Sequence, residues 1–570
     1  MRKKSWILLL ILAVLVMGGL GVYQKPAFKK YFKVLDYNTL LPTPSEQVAA
    51  VFGFNPGREN KSLVHVDHYT INLSATARHF NVKALEAGEQ NTPAMITVET
   101  WGDGIFRHFA PSPLSMILDG SYDTAIKSFA KRVEGTRSEV FLRFNPEMEV
   151  PVSLYPWQNN RDEYILAFRH FSKLCREQAP GLQVVWAPAG YPGCLEFYPG
   201  DGFADAASVT LKSNSEMPLN VYPKDYPLEY DVFRRLHRLR FIDLPIFVLT
   251  SKNEKHHIDA RTVHNIRGIF KEEQNTAYSP ENFSRPGDKP SDSTSNSFEI
   301  GFYDPNDLLV NEPEVTAEHL FADFGNLSDG SFEKRFQQVL ARGHHLIVTF
   351  EPFRHPLRGD DRNVLEDISG GQYDTEIDQF FRILLSTENT IYLRYAHEME
   401  IPITRYPWQS QNPLTYIKSF RYFMTRPDSL PPNIKRVWGP AGDRGSIEWW
   451  PGNDVVDYVS IAVYGLPDKN ITDPMQQESF ATIFNRKQNR MRFIDKPMFI
   501  TEFGVKGPED YQTSWLVNAA RTIRENPQIK GVNYFNMTDT PKAWGDIKPP
   551  DWSISKASFH NFLAILQGED

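Results

Sequence analysis

Tyr392-Leu393-Arg394-Tyr395-Ala396-His397-Glu398-Met399-Glu400 is written a second time, earlier in the chain, as Phe141-Leu142-Arg143-Phe144-Asn145-Pro146-Glu147-Met148-Glu149. Each version is followed by Tyr-Pro-Trp-Gln, at Tyr155 to Gln158 and Tyr406 to Gln409, and Glu147 and Glu398 stand 251 residues apart. Outward from this block, Trp186, Pro188, Ala189, Gly190, Gly193 and Glu196 recur 252 residues on as Trp438, Pro440, Ala441, Gly442, Gly445 and Glu448. Arg240-Phe241-Ile242-Asp243 returns as Arg492-Phe493-Ile494-Asp495 at the same offset. Matches in one order and in near-constant register mean two copies of one fold.

Within each copy, short runs rich in Val, Ile and Phe alternate with longer segments of helical period. In the second copy the strand candidates include Ile300 to Tyr303, Leu346 to Phe350, Ile391 to Tyr395, Ile461 to Tyr464, Met498 to Thr501 and Val532 to Phe535. Ile417, Phe420 and Phe423 repeat at helical spacing, as do Ile165, Phe168 and Phe171 in the first copy. Such alternation over about 270 residues fits a (β/α)8 barrel, whose usual length is ~250 residues. An open doubly wound sheet is the alternative, but the chain has no glycine-rich dinucleotide loop to favour it. The expected fold class is therefore α/β, with two tandem barrels at 49–275 and 298–570. The linker at 276–297 ends in the polar, breaker-rich run Ser284 to Ser297. Little chain remains before it for a last strand and helix, so the first barrel is expected to be degenerate and incomplete.

Two large domains also suit a chain of 570 residues, which is too long for one core. A net charge of -8 without long acidic or basic runs argues against a nucleic-acid surface and for an uncharged ligand. Aromatic residues reach 13%, and their flat faces suit sugar rings as well as cores. Cys175 and Cys194 could form one disulfide or stay as two buried thiols, and the sequence holds no metal-binding cluster. At the N-terminus, Arg2-Lys3-Lys4 precedes an apolar or small run from Trp6 to Val22, near the lower limit for spanning a bilayer. We read residues 1–24 as an uncleaved signal anchor, a transmembrane helix, and 25–48 as a juxtamembrane linker; a cleaved, secreted form is the alternative.

Barrel active sites lie at the C-terminal ends of the strands. Glu398 follows the run Ile391 to His397 and Glu502 follows Pro497 to Thr501, on the fourth and seventh strands counted from Ile300. Two carboxylates on one rim are what glycoside cleavage requires: one attacks the anomeric carbon, the other protonates the leaving oxygen and then deprotonates water. In the first copy the same registers hold Pro146 for His397, Thr250 for Glu502 and Lys212 for Tyr464, leaving Glu147 alone. Double displacement is therefore absent there, and Glu147 and Trp157 are left to line a glycan groove or to brace a scaffold.

His397-Glu398-Met399 after an apolar strand, Tyr406-Pro407-Trp408 downstream and Thr501-Glu502-Phe503-Gly504 on a later strand resemble family 26 of the glycoside hydrolases. The resemblance implies a retaining enzyme on a (β/α)8 barrel, Glu398 as acid/base and Glu502 as nucleophile. Glu351, in Thr349-Phe350-Glu351-Pro352, and Trp552 also look like residues of that family. The family commonly continues with Asn-Gly where this chain has Glu400-Ile401, so its mannan specificity does not transfer. By role, His397 is expected to bind substrate or nucleophile, Tyr464 to donate to Glu502, Arg394 to pair with a catalytic carboxylate, and Trp408 and Trp438 to form sugar platforms.

The expectation is a membrane-anchored, extracytoplasmic enzyme that hydrolyses a β-linked polysaccharide, β-mannan or a related glycan or exopolysaccharide, within its chain. It needs no metal or organic cofactor, because carboxylates handle both steps. Its partners are the polysaccharide, the membrane and polysaccharide-synthesis machinery, without nucleic acid. A non-catalytic polysaccharide-binding or assembly scaffold is the rival, and a transglycosylase would use the same residues.

Overall fold

The computed structural model describes residues 38–42, 47–52, 64–101, 112–151, 155–211, 228–251, 258–278, 298–353, 362–402, 405–465, 477–540 and 548–569. The apolar run Trp6 to Val22, most of the linker and Lys212 lie outside them. Among the described residues, no helix is long and apolar enough to cross a membrane. The chain divides into two compact units, Met1–Phe270 and Lys271–Asp570.

The second unit is a closed barrel of eight parallel strand positions. Its strands are β9 (Glu299–Tyr303), β10 (Ala317–Ala322), β11 (His345–Phe350), β12 (Ile391–Tyr395), β13 (Ile434–Trp438), β14 (Tyr458–Val459), β15 (Ala462–Tyr464), β16 (Met498–Gly504) and β17 (Ile529–Phe535). β14 and β15 share one position, interrupted at Ser460 and Ile461, and β17 pairs back onto β9 to close the ring. Amphipathic helices cover it, several with local caps: Asn412 and Ser479 accept backbone N–H groups at their helix starts, and Asp323 with Asn326 forms a capping box. Inside the barrel, Ala317, Ile347, Tyr392, Val437, Tyr458 and Phe499 form a buried apolar layer.

The first unit has β1 (Leu41–Pro42), β2 (Gln47–Phe52), β3 (Val64–Asn72), β4 (Ala94–Glu99), β5 (Val140–Phe144), β6 (Gln183–Trp186), β7 (Ala206–Thr210) and β8 (Ile246–Ser251). Its inner layer of Val66, Met95, Phe141, Val185, Ala206 and Phe247 matches the second unit's layer position by position at the repeat offset. By that register β3 to β8 are the counterparts of β10 to β16, and among the described residues β9 and β17 have no parallel counterpart. A degenerate and incomplete first barrel was expected, and the described residues of this unit hold six parallel strands, β3 to β8. The gap is bridged by β2, which runs antiparallel to both β3 and β8 and pairs with β8 along Gln47 to Phe52. An antiparallel strand satisfies both open edges without the helical crossover that another parallel strand demands. Cys175 and Cys194 are both buried, and neither forms a disulfide.

Candidate active site

Above the apolar layer of the second unit the barrel interior turns polar, and Arg394 occupies its centre. The side chain is 2% exposed; its Nε donates to Thr349 Oγ1 at 2.8 Å, its Nη1 to Thr501 Oγ1 at 2.9 Å and its Nη2 to Glu502 Oε1. His319 Nε2 stands 2.8 Å from Thr349 Oγ1, Ser460 Oγ 2.5 Å from Thr501 Oγ1, and Asn533 Nδ2 donates to the Thr501 carbonyl at 2.9 Å. The hydroxyls therefore hold the guanidinium, and a second ring of polar groups orients the hydroxyls. A glycine is required beside it: a Cβ at Gly439 would lie 2.3 Å from Arg394 Cδ.

Glu502 receives a second donor, the Tyr464 hydroxyl, at 2.9 Å on Oε2. Strand alternation would send Thr501 and Glu502 to opposite faces. Between Ile500 and Phe503, however, β16 carries one more residue than its partner segment Val532 to Tyr534, an irregularity of the β-bulge kind. The extra residue lets the Thr501 hydroxyl and the Glu502 carboxylate serve the same guanidinium.

Glu398 stands three residues past β12 in a turn where it and Ala396 both take left-handed backbone angles, with φ of 53° and 44°. The turn is tied down by the Glu398 N–H to Gly439 carbonyl bond at 2.9 Å, the Trp408 Nε1 to His397 carbonyl bond at 2.7 Å and the Gln409 Nε2 to Glu398 carbonyl bond at 3.2 Å. Burial, then the charges of Glu502 and Glu400, push the Glu398 carboxyl up to about 7. Glu351 is raised to about 8 by burial, with Glu502 and Asp323 adding to it against Arg394 and Arg405. His397, forced far below the usual imidazole range by burial and by Arg394, is neutral, with Nδ1 3.8 Å from Glu351 Oε1, too far for a hydrogen bond.

Two expected sugar platforms are not platforms. Trp408 is completely buried, stacked on Tyr406 at 4.7 Å and bonded to the His397 carbonyl, so it supports the turn from behind. Trp438 is equally buried, and Trp552, 1% exposed, packs its ring 4.8 Å from Tyr464. Ile461, assigned to a strand from sequence, lies just before β15. Glu400, which breaks the family pattern, is buried under a loop: its Oε1 accepts from the Gly442 N–H at 2.9 Å, the Asp443 N–H at 3.1 Å and the Ser446 hydroxyl at 2.7 Å. Glu149 accepts the Tyr191 N–H at 3.0 Å at the matching place in the first unit, so this carboxylate has one structural job in both. Among the described residues, no cluster of three or more His, Cys, Asp or Glu could hold a metal.

Sequence reading missed the supports of Arg394: Thr349, Thr501, Ser460, His319 and Asn533. The repeat register offered a signal for three of them, since Thr97, Ser208 and His68 occupy the matching positions. In the first unit His68 Nε2 is again 2.7 Å from Thr97 Oγ1, but Arg143 donates to Ser208, Thr97 and, at 2.5 Å, to Thr210, so a hydroxyl takes the carboxylate's part. Leu249 belongs to that unit's inner cluster, and β8 pairs regularly with both neighbours, so alternation turns Thr250 to the opposite face. The loss there is of the bulge as well as of the acid.

No family model matches the chain. A β-1,3-xylanase from Vibrio sp is 30% identical over 184 residues, 31% of this chain and 34% of that protein. Endoglucanase H of Acetivibrio thermocellus is 25% identical over 232 residues, 38% of this chain and 24% of that protein. The chain thus spans about a third or less of the length of these curated relatives. Among solved structures, GH26C from Muricauda sp. aligns at 16% identity with a TM-score of 0.37, covering 47% of this chain and 86% of that one.

Proposed function

We propose that the second unit is a retaining glycoside hydrolase that cleaves a β-linked polysaccharide within its chain, with Glu502 as nucleophile and Glu398 as general acid and base. One observation carries this reading: Glu502 has a donor on each carboxylate oxygen, Arg394 and Tyr464, while Glu398 feels its charge and keeps its proton up to about 7. One carboxylate is held by two donors and its neighbour has a raised carboxyl, which supports the division of labour that double displacement needs.

In the first step Glu502 attacks the anomeric carbon as the Glu398 proton passes to the leaving oxygen. Consumption of the Glu502 charge removes one of the influences that raise the Glu398 carboxyl, which then accepts a proton from water as that water releases the sugar. Curated relatives named β-1,3-xylanase and endoglucanase put β-1,3-xylan and β-glucans beside β-mannan as substrates to try first. Membrane attachment through residues 1–24, with the units outside the cytoplasm, belongs to the same proposal; recovery of full-length protein in the soluble fraction would count against it.

The test is a screen of the full-length protein against these glycans, with product anomers followed by NMR. Retention is expected, and Glu502→Ala should lose at least about 10³-fold in kcat. Azide should restore turnover to that variant as a glycosyl azide of inverted configuration. An inverted sugar from the unmodified protein would overturn the assignment.

A further inference from the structure

Glu351 and His397 follow the adjacent strands β11 and β12, and each is left with a hydrogen bond unmade. His397 is 3% exposed, and its Nδ1 is buried without a partner among the described residues. Tyr406 at 5.4 Å, Phe321 at 6.1 Å and Trp408 at 6.2 Å enclose the imidazole in aromatic rings. The Glu351 side chain is 13% exposed, and among the described residues its carboxyl accepts no hydrogen bond. His397 Nδ1 and Glu351 Oε1 stand 3.8 Å apart, so a movement of about 1 Å by either side chain joins them.

The first unit shows the same acid without an imidazole beside it. Glu99 takes the place of Glu351, 252 residues earlier, with Pro146 in the register of His397 and Trp101 in that of Phe353. Trp101 lies 5.5 Å from Trp157 as Phe353 lies 5.3 Å from Trp408, so the two rings fill one position. Glu99 Oε2 accepts the Trp101 Nε1 N–H at 2.8 Å, a bond that suits a carboxylate. Phe353 has no N–H to give, and His397 supplies instead a ring nitrogen that can accept. The second unit has exchanged a partner that only donates for one that can take a proton's hydrogen bond.

The charges around Glu351 favour the same exchange. Arg394 is committed to Thr349, Thr501 and Glu502, and Arg405 lies over the Tyr406 ring at 4.9 Å. Burial, Glu502 and Asp323 oppose a negative charge on Glu351 and outweigh the two arginines. Tyr303 and Tyr406 are the other titratable groups that feel it. We infer that Glu351 is a positioning residue: as a neutral carboxylic acid it donates to His397 Nδ1 and fixes the imidazole in the tautomer that carries its proton on Nε2. The ring then offers substrate an N–H in place of a lone pair. That last step rests on the glycoside hydrolase reading given above, whereas the tautomer does not.

The test is heteronuclear NMR of the full-length protein labelled at its histidine ring nitrogens, with the His397 signals assigned by their absence from His397→Gln. At about pH 6 the proton is expected on Nε2 alone. With the Glu351 carboxyl raised to about 8, the group is ionised at about pH 10 and becomes an acceptor, so the proton should move to Nδ1. Glu351→Gln cannot ionise and should show no such switch. A proton on Nδ1 at the lower pH, an unmodified protein whose tautomer ignores pH, or the same switch in Glu351→Gln overturns the inference. On a glycan that the protein hydrolyses, Glu351→Leu should lower kcat about tenfold or more, and Glu351→Gln, which keeps a donor, should recover most of that loss. Equal losses in the two variants overturn the positioning role. A tautomer switch without hydrolysis of any glycan leaves the inference standing and removes the hydrolase reading; hydrolysis without the switch does the reverse.

Discussion

In the proposed reaction Arg394 and Glu398 divide the chemistry between a fixed charge and a movable proton. Arg394 is bound on three sides by hydroxyls and a carboxylate, so it works as preorganised positive charge rather than as a group that must move. On the same proposal Glu398 works in the opposite way, its carboxyl giving up and recovering a proton near neutrality. With that carboxyl raised to about 7, the donating form persists below this value and is lost above it. We expect kcat for substrates with poor leaving groups to fall about tenfold per pH unit above roughly 7, and Glu398→Gln to abolish that alkaline limb along with most activity. A pH–rate profile flat to pH 9 would remove Glu398 from the role.

Two irregularities of the backbone make the site. The bulge in β16 puts consecutive side chains on one face, and the left-handed turn after β12 lifts Glu398 over the rim. The turn does not distinguish the units: Glu147 has φ of 62°, its N–H donates to the Ala187 carbonyl at 2.8 Å, and Trp157 Nε1 donates to the Pro146 carbonyl at 2.8 Å. What differs is the residue whose carbonyl holds the turn, Ala187 in one unit and Gly439 in the other. A methyl group at 439 would collide with the stem of Arg394, not with a flexible tip. Gly439→Ala should therefore displace the guanidinium from Glu502 and lower kcat about 10²-fold, with a smaller change in melting temperature than in rate. Wild-type kcat in that variant would show that Arg394 has another path.

The two units share an inner apolar layer and a polar ring, yet one is closed by parallel strands and the other by a borrowed antiparallel strand. That closure keeps the first unit's sheet edges paired but removes the strands that would carry the β17 side of an active site, Asn533 among them. Regaining the missing acid should not regain chemistry. Thr250→Glu, placed in the Glu502→Ala background, is expected to show no hydrolysis. Since Thr250 is 1% exposed, it should also destabilise the protein, by about 3–5 kcal/mol for an uncompensated buried charge, read as a lower denaturation midpoint. Activity in that double variant would mean that the first unit keeps a usable site.

The repeat, the strand–helix alternation of the second half and the placing of Glu398 just past β12 and Glu502 near the end of β16 were all legible in the amino-acid order. Each is a local pattern: a register of identities, a period, or an acid at the end of an apolar run. Thr501 and Glu502 sharing a face, Gly439 making room for Arg394, Trp408 lying behind the turn and β2 closing the first sheet were not legible. Each depends on which segment packs against which, because the face a side chain occupies follows from pairing with another strand, and free volume follows from groups far away in sequence.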